Sequence, residues 1–170
     1  METPLLQVKN LKKHFPLRSG FRQRVTAWVH AVDGIDFDLP AGETLALVGE
    51  TGCGKSTTGR LVLRLLGPTE GEVHFRGIDL GTLPSREMRT LRQEMQIIFQ
   101  DPFSSLNPRL TIGQTVAEPL LLHGKATRTT VGEKVVPLIE RAGLNGGARF
   151  RSPPELSGRR ACAVVRAAAQ

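Results

Sequence analysis

Gly49-Glu50-Thr51-Gly52-Cys53-Gly54-Lys55-Ser56 sets three glycines, a lysine and a hydroxyl directly behind the apolar run Leu45-Ala46-Leu47-Val48. The spacing satisfies G-x-x-x-x-G-K-[ST], and the chemistry it suits is holding a polyphosphate. A triphosphate needs many donors close together, and backbone N–H groups are the densest source of them. Only residues that tolerate φ > 0 let those groups converge on one anion. A helix starting at the loop adds its positive end to the same anion. In this reading Lys55 reaches the β- and γ-phosphates, the Ser56 hydroxyl ligates Mg²⁺, and Thr57 counts among the nucleotide-binding residues.

The loop alone leaves the class open among ATPases, GTPases, small-molecule kinases and transport motors. The N-K-x-D reader of a guanine base is absent from the sequence. A self-sufficient ATPase or kinase would use Gln96–Asp101 as a second Mg²⁺-bearing strand, with Asp101 as its acid. Gln100 then stands where that strand needs a further apolar residue.

The loop must be held between a strand and a helix. Leu45–Val48 has no polar alternation, which predicts a strand covered on both faces. After Ser56 the period changes: Leu61, Val62, Leu65 and Leu66 share one helical face, stopped by Gly67-Pro68. Upstream, Leu6, Val8 and Leu11 read as a short strand. Ile35, Phe37 and Leu39, alternating with Asp36 and Asp38, read as a half-buried one. Between them the basic stretch Arg18 to Trp28 reads as a long solvated loop, and Pro40-Ala41-Gly42 as a turn. Downstream, Val73 and Phe75 mark a strand, Ser85 caps a helix lined by Met88, Leu91 and Met95, and Gln96–Phe99 reads as a second buried strand. Thr111 with Gln114 and Thr130 with Glu133 fit capping boxes. The second box opens a helix burying Val135, Leu138, Ile139 and Ala142, with Gly143 at its end and a kink expected at Pro137. Strands alternating with helices, entered through short antiparallel strands, give an α/β fold with a β-rich side layer.

Composition narrows the partners. A chain of 170 residues with 39% apolar and 23% charged content fits one soluble domain with a real core. No apolar run approaches the ~20 residues of a bilayer span. Met1-Glu2-Thr3-Pro4 lacks the basic-then-apolar pattern of a secretion signal, which favours the cytoplasm. Cys53 and Cys162 have no framework or metal spacing and read as free thiols. The net charge of +7 comes from 23 scattered Lys and Arg, with 5% aromatics and no nucleic-acid motif. It points to ordinary surface charge and attraction to phosphates, not to nucleic acid.

"MQIIFQDPFSSLNPRLTIGQTVAEPL" and "PPELSG", taken with the loop, make the resemblance specific. From about Leu5 to Gly158 the chain resembles the ATP-binding subunit of an ABC transporter, closest to the oligopeptide/dipeptide (and nickel) importer branch. The order and spacing of the motifs carry the likeness more than any one of them. The resemblance implies a P-loop NTPase parallel sheet with helices, an N-terminal antiparallel β layer and a helical subdomain. Its rough divisions are 1–100 for the β layer and loop core, 101–158 for the helical part and 159–170 for a divergent tail. It implies ATP and Mg²⁺ as ligands of Gly49 to Thr57, and Gln100 as the Q-loop glutamine that contacts Mg²⁺ and the attacking water. Phe15 matches the aromatic that stacks on adenine, although its residue type fits a core position equally well. Phe103 to Leu120 resembles the surface that receives a transmembrane subunit. Ser157 and Gly158 resemble the signature that closes over ATP held by a second ATP-binding subunit. The implied location is peripheral, on the cytoplasmic face of the inner membrane, in an importer of peptides or similar small solutes.

The sequence also departs from the family. After Leu156-Ser157-Gly158 the pattern calls for Gly-Gln, where this chain has Arg159-Arg160. Arg159 brings a Cβ and a long side chain to a point where glycine lets the backbone approach a phosphate. No run of four apolar residues followed by Asp-Glu occurs, so the general base the family uses is absent from the 170 residues. His123 is no substitute for the later switch histidine and reads as a helix-end surface residue. Two expectations follow: hydrolysis by this chain alone is slow or absent, and a parallel sheet short of neighbours leaves apolar surface uncovered. A vestigial protein that only docks to a membrane partner is the third reading.

Overall fold

The computed structural model describes residues 3–20, 23–99 and 105–168. The chain divides into two compact units, Met1–Arg92 and Gln93–Gln170.

In the first unit, β1 (Leu6–Ser19) pairs antiparallel with both β2 (Arg24–Leu39) and β3 (Glu70–Phe75). β3 pairs with the short β4 (Ile78–Asp79), giving the order β2-β1-β3-β4. Leu6, Val8, Leu11, Val73 and Phe75 are buried, as their pattern predicts. A strict period of two would turn Leu11 away from the side of Val8. The register breaks between them, where Asn10 takes φ 45°, and Leu11 is fully buried. Ile35, Phe37 and Leu39 are half-buried and Asp36 and Asp38 exposed.

The loop expected over Arg18 to Trp28 is instead a strand ribbon. β1 and β2 stay paired out to Ser19 and Arg24, and the Gln23 N–H donates to the Gly20 carbonyl at 3.1 Å. Leu17, Val25, Trp28 and Val29 are all exposed, so neither face of the ribbon is covered. Without a buried face there is no apolar alternation to read; the backbone ladder holds the strands, joined by the Thr26 hydroxyl donating to the Leu17 carbonyl at 3.2 Å.

α1 (Lys55–Val62) ends earlier than Gly67-Pro68 suggested. The Leu65 N–H donates to the Arg60 carbonyl and the Arg64 N–H to the Leu61 carbonyl, both at 2.8 Å. This is a Schellman termination with Arg64, at φ 50°, in the position glycine usually takes. The Arg64 guanidinium donates to the Leu83 carbonyl at 2.6 Å, which holds the residue there. α2 (Ser85–Leu91) buries Met88, and its cap position falls on Pro84, one residue before the expected Ser85.

Leu45–Val48 does not form the doubly covered strand that its composition suggests. It pairs with nothing among the described residues, and Val48 is 92% exposed. Gln96–Phe99, which belongs to the second unit, is likewise unpaired, with Ile98 and Phe99 exposed. The reason is shared: a strand of the parallel layer is buried only by neighbours on both edges and helices on both faces. The uncovered apolar surface expected from the sequence is present.

The second unit is helical. α3 (Ile112–Leu122), α4 (Val131–Arg141) and α5 (Gly158–Ala168) surround one core, with 3₁₀ turns at Gly146–Phe150 and Pro153–Glu155. Ile112, Val116 and Leu120 recur at i, i+4, i+8 on α3 and meet Val135 and Ile139 of α4 and Ala161, Val164 and Ala167 of α5. Gly143 follows α4 at φ 83°, as its position predicts, and Pro137 sits inside that helix.

The two capping boxes part company. At Thr111 the box is complete: the Gln114 N–H donates to Thr111 Oγ1 at 3.2 Å, and the Thr111 N–H to Gln114 Oε1 at 2.8 Å. Replacing Thr111 with alanine lowers stability by about 1 kcal/mol, read as a shifted urea midpoint at unchanged slope. Thr130 caps nothing with its side chain. Its Oγ1 accepts the Thr127 N–H at 3.1 Å, so the hydroxyl serves the preceding turn instead of Glu133's amide.

Candidate phosphate-binding site

The loop Gly49–Gly54 is open to solvent and runs into α1. Gly52 and Gly54 hold φ of 91° and 94°, the left-handed region in which other residues are strained. Gly54 is also pressed against β2: a Cβ there would lie 2.2 Å from the Ala31 carbonyl oxygen. At Gly49 an added Cβ would lie 2.6 Å from Cys53 Sγ. Gly54 is therefore set by contact as well as by backbone angle, and Gly49 by its contact with the Cys53 side chain.

No side chain caps α1, and its first backbone bond runs from the Thr58 N–H to the Gly54 carbonyl at 2.8 Å. The amides of Lys55, Ser56 and Thr57 precede that bond at the positive end of the helix. The Thr58 hydroxyl, on a buried residue, also donates to the Gly54 carbonyl at 3.1 Å, pinning the turn from below. The Lys55 ammonium donates to the carbonyls of Gly49 at 2.7 Å and Glu50 at 2.6 Å, and reaches Cys53 Sγ at 3.4 Å. Its charge thus stands over the loop it belongs to.

These groups fit a polyphosphate and its cation. The donors are main-chain amides plus an ammonium, and the Ser56 hydroxyl is exposed beside them. The motif named its own residues but could not show what Gly54 rests on. Ala31 and Thr58 complete the seat, and neither carries a signal in the sequence.

Phe15, on β1, is 37% exposed, and Lys13 Nζ stands 5.2 Å from its ring centre. Gln100, Asp101 and Phe103 lie outside the described residues. The described part of the proposed docking surface, residues 105–120, takes in α3 as far as Leu120. Ser157 is exposed and precedes α5, its carbonyl accepting the Ala161 N–H at 3.0 Å. Just before it, the Ser152 N–H donates to Glu155 Oε1 at 3.0 Å, and this bond holds the Glu155 carboxyl below its ordinary pKa. His123 ends α3, as expected of a helix-end residue. Cys53 and Cys162 are free.

The family described as ABC transporter matches residues 32–169. The chain belongs to the ABC transporter family. Among curated relatives, the glutathione import ATP-binding protein GsiA of Escherichia coli (strain K12) is 50% identical over 155 residues. GsiA of Pectobacterium atrosepticum is 48% identical over the same length. Each alignment covers 91% of this chain but 25% of the relative, so the chain spans about a quarter of their length. Among solved structures, a dimeric ATP-binding cassette bound to ADP and Pi is 26% identical with a TM-score of 0.75. That match covers 95% of this chain and 68% of the cassette. The cbiO1 protein of Clostridium perfringens, 23% identical with a TM-score of 0.74, shares the fold over 99% of this chain and 61% of its own. The α/β class therefore stands for this ABC transporter chain, although Leu45–Val48 and Gln96–Phe99, the segments expected to be its parallel strands, form no strand among the described residues. No helix among its described residues is long and apolar enough to cross a membrane.

Proposed function

We propose that the chain is the ATP-binding, energy-coupling part of a membrane importer for peptides or similar small solutes. The observation that carries this is the Gly49–Ser56 loop, solvent-open at the N-terminus of α1 with two left-handed glycines. Relatives named for glutathione import support a peptide-like solute. In this reading the amides of Gly52 to Thr57 and Lys55 hold the β- and γ-phosphates, Ser56 and Gln100 hold Mg²⁺, and Phe15 stacks on adenine. Magnesium ATP supplies the phosphoanhydride whose cleavage drives transport; the residues here bind, orient and neutralise. Ser157 and Gly158 face the nucleotide of a second ATP-binding subunit, and the Phe103–Leu120 surface docks the transmembrane subunits on the cytoplasmic face of the inner membrane. Hydrolysis by this chain alone is slow, because no Asp-Glu pair occurs in its sequence to supply a base.

The test is thermal unfolding of the chain with Mg²⁺ and either ATP or AMP. ATP raises the midpoint and AMP does not, while phosphate release stays below ~1 per second. Equal shifts with both nucleotides would remove the phosphate loop as the binding element.

A further inference from the structure

A second constellation stands on the β1–β2 pair. His14 and His30 face each other directly across the two strands, their rings stacked with centroids 3.9 Å apart. Asp33 bridges them: its Oδ1 lies 3.2 Å from His14 Nε2 and its Oδ2 3.3 Å from His30 Nδ1. Residues three apart on a regular strand point to opposite faces. Here the register runs from Lys13↔Val32 to His14↔His30, leaving Ala31 unmatched. Ala31 is the extra residue of a β-bulge, and that extra residue brings His30 and Asp33 to one face. Lys12, a neighbouring cation, is tied to Glu70 Oε2 at 2.8 Å.

We propose that His14, His30 and Asp33 form a binding site for a borderline divalent transition-metal ion of the zinc class. Two imidazoles and one carboxylate, with one position left for water, are a ligand set such ions accept. One ligand atom from each residue lies within 4.8 Å of the others. Each imidazole nitrogen lies 3.2–3.3 Å from its own Asp33 oxygen, His14 from Oδ1 and His30 from Oδ2. That is close to the about 3.3 Å between neighbouring ligands on a tetrahedral ion with bonds near 2 Å, so a small turn of the carboxylate presents one oxygen to an ion shared with both rings. Stacked rings send their lone pairs side by side, so capture turns the rings inward. The His30 side chain, 53% exposed, has room to turn. The bulge that aligns the ligands is the same one whose Ala31 carbonyl seats Gly54. A bound ion would therefore stiffen the support of the phosphate loop without touching it.

The test is a titration of the nucleotide-free chain with Co²⁺, followed by displacement with Zn²⁺. One ion per chain is expected, with the intense visible bands of four-coordinate cobalt. Asp33→Asn and His30→Gln each weaken binding at least about 10-fold. Both side chains are more than half exposed, so both variants are expected to fold, and a far-UV spectrum with a urea midpoint verifies it. Binding that is unchanged in the folded His30→Gln variant, or that disappears when Cys53 and Cys162 are alkylated, overturns the proposal. So does the absence of stoichiometric binding.

Discussion

Gly54→Ala is expected to cost roughly 2–4 kcal/mol of stability and to remove most nucleotide affinity with it. Two effects add. The residue sits at φ 94°, where an L side chain is strained by about 1–2 kcal/mol. The new methyl would also lie 2.2 Å from the Ala31 carbonyl oxygen, which is backbone and cannot rotate aside. Either the loop lifts from β2 or the bulge at Ala31 moves. In both cases the amides of Lys55 and Ser56 lose their common aim. Gly52→Ala separates the two effects, since Gly52 has a similar φ of 91° but nothing within 4 Å of its added Cβ. It should show the backbone term alone. Urea midpoints of both variants, with titration of a fluorescent ATP analogue, make the comparison. Equal losses at the two positions would show that the contact with Ala31 carries no weight.

The contrast between these glycines also shows how far the sequence could be read. The motif identified Gly49, Gly52 and Gly54 because phosphate-binding geometry constrains residue type at fixed spacing. It could not rank them, since their difference lies in a strand more than twenty residues upstream. Ala31 has no distinguishing chemistry, and the bulge that gives it a role is a property of pairing. The same holds for the ribbon from Leu17 to Val29, where an uncovered strand leaves no apolar rhythm. Where one face is buried the reading was sound: Leu6 and Val8 on β1, Val73 and Phe75 on β3, Val135 and Ile139 on α4. Leu45–Val48 failed in the other direction. Its composition records the neighbours a parallel layer supplies, while the described residues pair it with none. Caps fell between these cases. Thr111 and Thr130 each precede an acceptable third residue, but Thr127 competes for the Thr130 hydroxyl and wins it.

Lys55→Ala should weaken magnesium ATP binding by about 10–100-fold while leaving the fold intact. A hydrogen bond to a charged partner contributes about 1.5–3 kcal/mol, and each 1.4 kcal/mol is about tenfold in affinity. The ammonium donates to the exposed carbonyls of Gly49 and Glu50, so water replaces it there and the unfolding midpoint moves by no more than about 0.5 kcal/mol. Lys55→Arg does not restore binding, because a planar fork cannot stand in for a compact ammonium above a loop of this curvature. Binding of a fluorescent ATP analogue to the three proteins, at fixed ionic strength, measures the difference. Affinity lost in step with a collapsing urea midpoint would assign Lys55 to the fold. Affinity unchanged in a stable Lys55→Ala chain would mean that the phosphates are held elsewhere. Only loss at constant stability fits an ammonium whose work is done on the ligand.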